Sequence, residues 1–352
     1  MVRSGLVIKL IESHVKKDED LFQNTIFEII DDEKSKGNNV VATRLKRISK
    51  GLTTYHLSSL RTSSFEEIPA AENGLPLLEI RRPVETFDDI ILSPELQHSF
   101  LSMLKETRNR EILRSWGISS PSKVLLCGPP GTGKTLSAHV LSNELGYDLF
   151  YVRLDSLISS YLGQTGNNLR KIFDFAKGKK AILFLDEFDA IAKMRDDMNE
   201  LGEIKRIVNS LVQNIDMFSS DGLFLAATNH PQLLDMAIWR RFDEVIWFDL
   251  PSGKERMKIF QIHARNTPLN NVDFDDLADQ TKDFSGSDIE QVVRLAARKA
   301  VTENNKFISG EDFLSCIETI KYKKIKQEIA TKERNGFTRK KLKTEELKRK
   351  PG

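Results

Sequence analysis

The feature that most constrains this chain is an apolar run that leads into a glycine-rich turn and then into a helix-forming stretch. Residues 124–127 are Val-Leu-Leu-Cys, residues 128–135 are Gly-Pro-Pro-Gly-Thr-Gly-Lys-Thr, and a largely apolar segment follows to residue 141. A strand, the pattern G-x-x-x-x-G-K-T and a helix, in this order, predict a phosphate-binding loop. Glycines let backbone N–H groups surround phosphate oxygens, and the start of the helix adds partial positive charge. The predicted contact residues are Gly128, Pro129, Pro130, Gly131, Thr132, Gly133, Lys134, Thr135 and Leu136.

Two residues of this loop have separate predicted roles. We expect Lys134 to reach the β- and γ-phosphates of a nucleotide and the Thr135 hydroxyl to ligate Mg²⁺. The alternative is a chance glycine turn, against which the strand and helix on either side of the pattern argue. The sequence therefore predicts ATP and Mg²⁺ as ligands.

Short apolar runs alternate with helix-forming segments through the middle of the chain. Such alternation predicts an α/β fold in which a parallel five-stranded sheet is covered by helices on both faces. The strands are expected at residues 124–127, 149–152, 181–185, 223–227 and 245–248.

Polar side chains follow two of these runs directly. Asp186 and Glu187 come after the third run, and Asn229 follows the fourth. The carboxyl ends of parallel strands meet at one edge of the sheet, where ligands bind. We expect Asp186 to hold Mg²⁺, Glu187 to polarise the attacking water, and Asn229 to orient that water or sense the γ-phosphate. The alternative for the acidic pair is a simple turn at the strand end.

The rest of the chain is expected to form four further segments. Residues 1–52 carry three amphipathic stripes, which predict a helical bundle for partner or substrate recognition. Residues 53–83 lack sustained periodicity and are interpreted as a linker, and residues 251–320 are again helical in pattern. The tail, 321–352, has thirteen Lys or Arg against four Glu in a chain of net charge +2. Such a tail either contacts nucleic acid or an acidic partner, or is simply solvated; we favour the second interpretation.

Composition points to a cytoplasmic protein without a membrane anchor. No apolar run approaches the roughly 20 residues that a bilayer requires, and the charged N-terminus does not resemble a signal peptide. The two cysteines, Cys127 and Cys316, are far apart and suggest neither a disulfide framework nor a zinc site.

Three further motifs give the chain a family resemblance. Residues 236–243 contain the paired arginines Arg240 and Arg241, Gly286-Ser287-Asp288 opens a helix, and Tyr161-Leu162-Gly163 lies between the glycine loop and the acidic pair. Over residues 84–320 the chain resembles the AAA ATPases of the AAA+ superfamily. The resemblance implies a P-loop NTPase domain of the AAA+ type at 84–250 and a helical lid at 251–320.

The resemblance also implies a homo-oligomeric ring, usually a hexamer, with ATP bound between subunits. Arg240 and Arg241 match the arginine-finger positions, which reach a neighbour's γ-phosphate and can raise the rate by ~10³–10⁵. The alternative is a pair of surface arginines bound to Asp243 and Glu244. Further residues that the resemblance places at the nucleotide are Asp89, Ile90, His263, Gly286 and Ser287. For His263, a satisfied histidine in the core is an equal alternative.

Tyr161, Leu162 and Gly163 match the aromatic-hydrophobic-glycine pore loop of this family. In a ring, such loops would grip an extended polypeptide without regard to its sequence, so the match implies protein substrates. The alternative is a tyrosine that packs against its own domain.

In overall pattern the chain resembles small bacterial AAA ATPases that are encoded beside a subtilisin-like serine protease in plasmid- or phage-defence cassettes. The chain has no His-Glu-x-x-His and no Gly-x-Ser-x-Gly motif, so any proteolysis would come from a separate partner. The expected function is an ATP-driven ring that remodels, unfolds or translocates polypeptides. Two alternatives remain: a DNA-acting helper ATPase that uses the basic tail, and a nucleotide-gated assembly scaffold.

Overall fold

The computed structural model describes residues 67–159, 164–190, 201–218, 221–327 and 329, with residues 6, 9, 13, 25, 26 and 28–32 near the N-terminus. The helical bundle predicted for 1–52 therefore lies almost wholly outside the described residues. So do most of the predicted linker, Tyr161-Leu162-Gly163, and the basic tail beyond residue 329.

A six-stranded sheet forms the first compact unit, with the strand order β1-β3-β4-β5-β2-β6. The five strands from β2 to β6 are parallel, as the sequence predicts, and β1 pairs antiparallel with β3 at one edge. Every residue of β4 and β5 is buried, because both faces of these central strands are covered. The strands are β1 (Leu78–Arg81), β2 (Lys123–Cys127), β3 (Asp148–Val152), β4 (Ala181–Leu185), β5 (Leu223–Thr228) and β6 (Glu244–Trp247).

Strand β1 is a correction to the sequence analysis, because it lies within the predicted linker 53–83. Leu77 and Leu78 are buried in the same core as the central strands, and Ala71 joins them. Pro and Gly interrupt the apolar residues of this segment, so it shows no sustained period of its own. Its structure comes from pairing with β3, so only the folded chain reveals it.

Helices surround the sheet and position the ends of its strands. The glycine-rich turn connects β2 to α3, and the segment after β5 leads through the short α7 into the edge strand β6. The helices of this unit are α1 (Pro94–Arg108), α2 (Arg110–Ser115), α3 (Lys134–Leu145), α4 (Leu154–Ser159), α5 (Thr165–Ala176), α6 (Leu201–Met217) and α7 (Met236–Trp239).

The second compact unit contains residues 91–93 and 129–133 and the chain from residue 249 onward. Its core is apolar and includes Phe260 and Phe313, whose rings meet edge to face at 6.2 Å. A short parallel pair, β7 with β8, joins its helices. The elements are α8 (Gly253–Ala264), β7 (Leu269–Asn270), α9 (Phe274–Gln280), α10 (Gly286–Thr302), β8 (Ile308–Ser309) and α11 (310–327).

The last helix extends into the segment that was predicted to be a tail. Residues 321–327 continue α11, and Lys324 forms an ion pair with Asp288 at 2.7 Å. The first part of the basic segment is therefore structured. Within the ranges that the structure describes, no helix is both long enough and apolar enough to cross a membrane.

Candidate nucleotide-binding site

The glycine-rich turn begins where β2 lies between β5 and β6. Gly128 N–H donates a hydrogen bond to the carbonyl of Thr228 at 3.3 Å, which extends the pairing of β2 with β5. Residues other than glycine rarely adopt its φ of +149°. A Cβ at this position would also lie 2.2 Å from the carbonyl oxygen of Phe248. Only glycine therefore lets the chain leave the sheet at this point.

The tip of the turn, residues 129–133, packs against the N-terminus of α10 in the second unit. Gly131 has a φ of +77°, and its carbonyl accepts a hydrogen bond from Ser287 N–H at 3.1 Å. Gly286 and Ser287, both predicted as nucleotide contacts, are the first two residues of α10, and Ser285 caps the helix. The start of a helix presents backbone N–H groups and partial positive charge, which favour phosphate.

Lys134 is the first residue of α3 and is almost completely buried, with 6% of its surface exposed. Its Nζ donates to the carbonyl of Gly128, the first residue of the turn, at 2.8 Å. Burial lowers the pKa of Lys134, and the negative charge of Asp186 acts in the opposite direction. The ammonium group is thus held inside the curve of the loop, where an anionic phosphate would offset its loss of solvent.

Thr135 and Asp186, both predicted as Mg²⁺ ligands, are in contact although they are 51 positions apart in the chain. The Thr135 hydroxyl donates to Asp186 Oδ2 at 2.6 Å, and the N–H of Glu187 donates to Asp186 Oδ1 at 2.9 Å. A hydroxyl and a carboxylate beside a phosphate-binding loop are hard oxygen donors. They suit Mg²⁺, which is commonly held by one or two carboxylates, substrate phosphates and water.

Glu187 has an unusual backbone conformation, with a φ of +50°. Positive φ is uncommon outside glycine and is enriched mainly in Asn, Asp and His, so a glutamate here is strained. The surrounding turn is fixed, because Phe188 N–H donates to Ala227 O and Ala190 N–H donates to Glu187 O, each at 2.8 Å. The side chain of Glu187 is exposed, beside the buried end of β4.

Asp189 links the acidic turn to Asn229, and the sequence analysis did not identify it. Its carboxylate is buried, and Oδ1 accepts hydrogen bonds from Thr228 Oγ1 at 3.1 Å and from Asn229 N–H at 3.3 Å. This carboxylate therefore holds the backbone of Asn229 to the turn that follows β4. The only sequence signal was a third acidic residue, two positions after Glu187.

Tyr151 is a second residue that the sequence analysis missed. It lies on β3, its ring meets Phe184 edge to face at 5.7 Å, and the guanidinium carbon of Arg81 lies 3.8 Å from its ring centroid. Burial raises the pKa of the Tyr151 hydroxyl, and the negative charge of Asp186 acts in the same direction. The charge of Asp186 therefore acts on a residue outside the predicted motifs.

The paired arginines lie after α7 and are both exposed. Arg241 Nε forms an ion pair with Asp216 at 3.2 Å, with both side chains 41% exposed. Asp243, the predicted alternative partner, instead accepts hydrogen bonds from backbone N–H groups next to the start of β2. Burial raises the pKa of the other alternative partner, Glu244.

The remaining predicted contacts have varied surroundings. Asp89 ends a 3₁₀ turn (Phe87–Asp89), and its carboxylate accepts a hydrogen bond from Thr86 N–H at 3.0 Å. Ile90 is buried, with 7% of its surface exposed. His263 lies on α8, with its side chain exposed rather than enclosed in the core of the second unit.

Together, the strand, glycine loop and helix, the adjacent carboxylates after β4 and the asparagine after β5 define a P-loop nucleoside triphosphatase. The comparison with protein families agrees and is more specific. Residues 124–250 match the ATPase family associated with various cellular activities (AAA), and residues 271–315 match the AAA+ lid domain.

Similar proteins extend this match over most of the chain. It is 40% identical over 320 residues to the AAA family ATPase y4kL of Sinorhizobium fredii, covering 89% of this chain and 94% of that protein. It is 31% identical over 333 residues to the proteasome-activating nucleotidase of Thermococcus onnurineus, covering 89% and 84%. A third relative is the ATP-dependent zinc metalloprotease FtsH 2 of Sphaerobacter thermophilus, with 34% identity over 264 residues, 73% of this chain and 39% of that protein.

This chain belongs to the AAA family of ATPases. It is an ATP-hydrolysing enzyme that uses Mg²⁺, and it combines an α/β ATPase domain with an AAA+ lid.

Proposed function

We propose that this ATPase assembles as a homo-oligomeric ring, a hexamer, and uses ATP hydrolysis to remodel, unfold or translocate polypeptides. The observation that carries the proposal is the similarity to a proteasome-activating nucleotidase over 89% of the chain. FtsH 2 is named as an ATP-dependent metalloprotease, and the similarity to it also supports a polypeptide substrate. Tyr161, Leu162 and Gly163 would form the pore loop that grips the polypeptide.

In this proposal each residue of the site has one role. Lys134 neutralises charge on the β- and γ-phosphates, Glu187 polarises the attacking water, and Asn229 orients it. Thr135 and Asp186 hold Mg²⁺, which when bound supplies further positive charge to the phosphate oxygens. The strained backbone of Glu187 supports a functional role, because such strain is concentrated at active sites.

Arg240 and Arg241 complete the site of a neighbouring subunit. Both arginines are exposed. The side chains of Arg241 and Asp216 are each 41% exposed, and ion pairs with this much exposure contribute little to stability. Arg241 can therefore exchange Asp216 for the greater negative charge of a γ-phosphate. Arg241→Ala should leave ATP binding intact and abolish hydrolysis, whereas Asp216→Ala should leave hydrolysis largely intact.

Mixed oligomers test whether the arginine acts between subunits. Arg241→Ala and Glu187→Gln chains are each expected to be inactive alone. When the two are mixed, an intact Glu187 on one chain meets an intact Arg241 on its neighbour, so part of the ATPase activity returns. If mixing restored nothing although the mixed oligomers formed, the shared site would be wrong.

We further propose that a separate subtilisin-like serine protease receives the polypeptide, in bacterial defence against plasmids or phage. This rests on the resemblance described above and on the absence of His-Glu-x-x-His and Gly-x-Ser-x-Gly from the sequence. Glu187→Gln should bind ATP but stall, so its bound proteins can be isolated from the native host and identified. Recovery of a serine protease or a threaded polypeptide, lost again on adding Tyr161→Ala, is the expected result.

The basic tail favours a second candidate, a DNA-acting helper ATPase. Its signature would be salt-sensitive DNA binding that disappears when residues 330–352 are removed. Residues 321–327 should be kept in this experiment, because they complete α11 and include the ion pair of Lys324 with Asp288. If Glu187→Gln retained DNA instead of protein, the polypeptide proposal would fail. A nucleotide-gated scaffold would instead tolerate Tyr161→Ala without loss of function.

A further inference from the structure

A lysine near the end of α11 is bound to the start of α10. Lys324 Nζ donates to Asp288 Oδ2 at 2.7 Å and to the carbonyl of Asp283 at 3.1 Å, and it lies 4.9 Å from the ring centroid of Phe284. The side chains of Lys324 and Asp288 are 33% and 18% exposed, so solvent screens this ion pair only in part. Lys324 lies beyond residues 271–315, the part of the chain that matches the AAA+ lid.

These contacts hold the turn that leads into α10. Asp283 has a φ of +67°, and such a conformation persists only where the surrounding contacts maintain it. Lys324 supplies one of them through the Asp283 carbonyl. Ser285, which caps α10, donates to Asp288 Oδ2 from its N–H and from its hydroxyl, each at 2.8 Å. Lys324 is a third donor to the same oxygen, so one charge fixes both the turn and the helix cap.

The cap of α10 is in close contact with the tip of the glycine loop. Ser287 N–H donates to the carbonyl of Gly131 at 3.1 Å. A Cβ on Gly131 would lie 2.1 Å from Ser287 Oγ and 2.7 Å from Ser285 Oγ, so no space separates the loop from the serines. In such close packing a displacement of the cap must displace the loop tip. Within the second unit, a continuous series of contacts therefore leads from Lys324 through the cap to Gly131.

We propose that Lys324 is a positioning residue for nucleotide binding, which holds the start of α10 against the glycine loop so that backbone N–H groups of both are fixed for phosphate. The proposal rests on the proposed role of this loop, with Gly286 and Ser287, in nucleotide binding. Without Lys324 the loop and the helix would remain, but part of the binding free energy would be needed to restore their arrangement. Groups that are already ordered bind more tightly, because they lose less conformational freedom.

The measurement is the equilibrium binding of a fluorescent, non-hydrolysable ATP analogue, with Mg²⁺, to the full chain. Lys324→Met keeps an unbranched side chain of similar length and removes the charge and the donor. Its Kd should rise about tenfold, as expected when a hydrogen bond to a charged group is lost. Lys324→Arg keeps both charge and donor and should restore most of the affinity. An unchanged Kd in Lys324→Met would overturn the proposal.

Lys299→Met is the matched control, because the same arrangement occurs at the start of α11. Ser309 donates to Asp312 Oδ2 from its N–H at 3.0 Å and from its hydroxyl at 2.7 Å. Lys299 Nζ lies 3.1 Å from Asp312 Oδ1, with side chains 37% and 13% exposed. The serines that face Gly131, however, lie at the start of α10. Lys299→Met should therefore lower stability in urea unfolding and leave the Kd unchanged. If it raised the Kd as much as Lys324→Met, the effect would come from general destabilisation and the proposal would be overturned.

A double-mutant cycle tests whether Lys324 acts through the loop tip. In Gly131→Ala the contact between the loop and the cap is already displaced, so Lys324→Met should raise the Kd by a smaller factor there than in the wild type. Full additivity of the two effects would contradict the proposed path.

Lys134→Ala separates the proposal from the site on which it rests. This variant should lose binding of the analogue. If Lys134→Ala bound it like the wild type, the proposed nucleotide site would fail, and the role of Lys324 with it. A wild-type Kd in Lys324→Met, together with lost binding in Lys134→Ala, would overturn the role of Lys324 alone.

Discussion

Replacing Gly131 by alanine should damage nucleotide binding through a contact inside the second unit. The φ of Gly131 is +77°, and an added Cβ would lie 2.1 Å from Ser287 Oγ, 2.7 Å from Ser285 Oγ and 3.0 Å from Ser287 Cβ. Either the two serines at the start of α10 or the loop tip must shift. Such a shift would move the backbone N–H groups that are proposed to surround phosphate.

The size of the effect follows from two contributions. An alanine in the left-handed region costs about 1–2 kcal/mol, and forcing a methyl into a filled space costs about 1–3 kcal/mol more. The loop would therefore be strained by about 2–5 kcal/mol. If only about 2 kcal/mol of this appears in binding, the affinity for ATP falls about 30-fold.

Gly117→Ala is the matched control for this prediction. Gly117 has a φ of +74°, almost the same as Gly131, but a Cβ there would meet nothing within 4 Å. It isolates the backbone strain, so stability should fall by about 1–2 kcal/mol in urea unfolding while ATP affinity stays at the wild-type value. If Gly131→Ala bound ATP as tightly as Gly117→Ala in equilibrium titrations, the argument from the close approach of the loop to α10 would be refuted.

Two other substitutions separate hydrolysis from stability. Asp189→Ala removes the acceptor of Asn229 N–H, so kcat should fall at least about tenfold with little change in ATP affinity, as steady-state kinetics and titration would show. Lys324→Met removes the ion pair with Asp288 and should lower the free energy of unfolding by about 1–2 kcal/mol at pH 7. The pKa of Asp288 lies below its ordinary 3.8. Burial alone would raise this pKa, but the hydrogen bonds to the carboxylate, above all that from Lys324, lower it. The stabilisation is therefore present above that value and lost as pH falls through the lowered pKa, so urea unfolding of variant and wild type should converge in acid.

The parallel sheet could be predicted from the sequence because its strands are buried on both faces. Runs such as Ala181–Leu185 are apolar throughout and differ clearly from the amphipathic helices between them. The edge strand Leu78–Arg81 carries alternate charges, is four residues long and follows a segment without periodicity. Its strand conformation depends on pairing with β3, which no local pattern specifies.

The same distinction applies to the site. Lys134, Thr135 and Asp186 could be selected from the sequence because their proposed roles require a fixed spacing within a motif or a fixed place at a strand end. Asp189 accepts a hydrogen bond from Asn229 N–H at the end of β5, and the Tyr151 ring meets Phe184 of β4; both contacts join different strands and depend on register. The contact of Asp189 with Asn229 has no local sequence signal, since the two positions are 40 apart in the chain.

These contacts indicate how the proposed reaction would be controlled. Within one chain, the acidic side of the site is already ordered: Thr135 and Glu187 N–H hold Asp186, and Asp189 fixes Asn229. Such preorganised groups need no rearrangement when the reaction begins. Arg241, by contrast, is half-exposed and bound to Asp216 of its own chain. If it stabilises the transition state of a neighbour, as we propose, each chain can bind ATP alone but hydrolyses it fast only after assembly, because the missing charge is worth ~10³–10⁵ in rate.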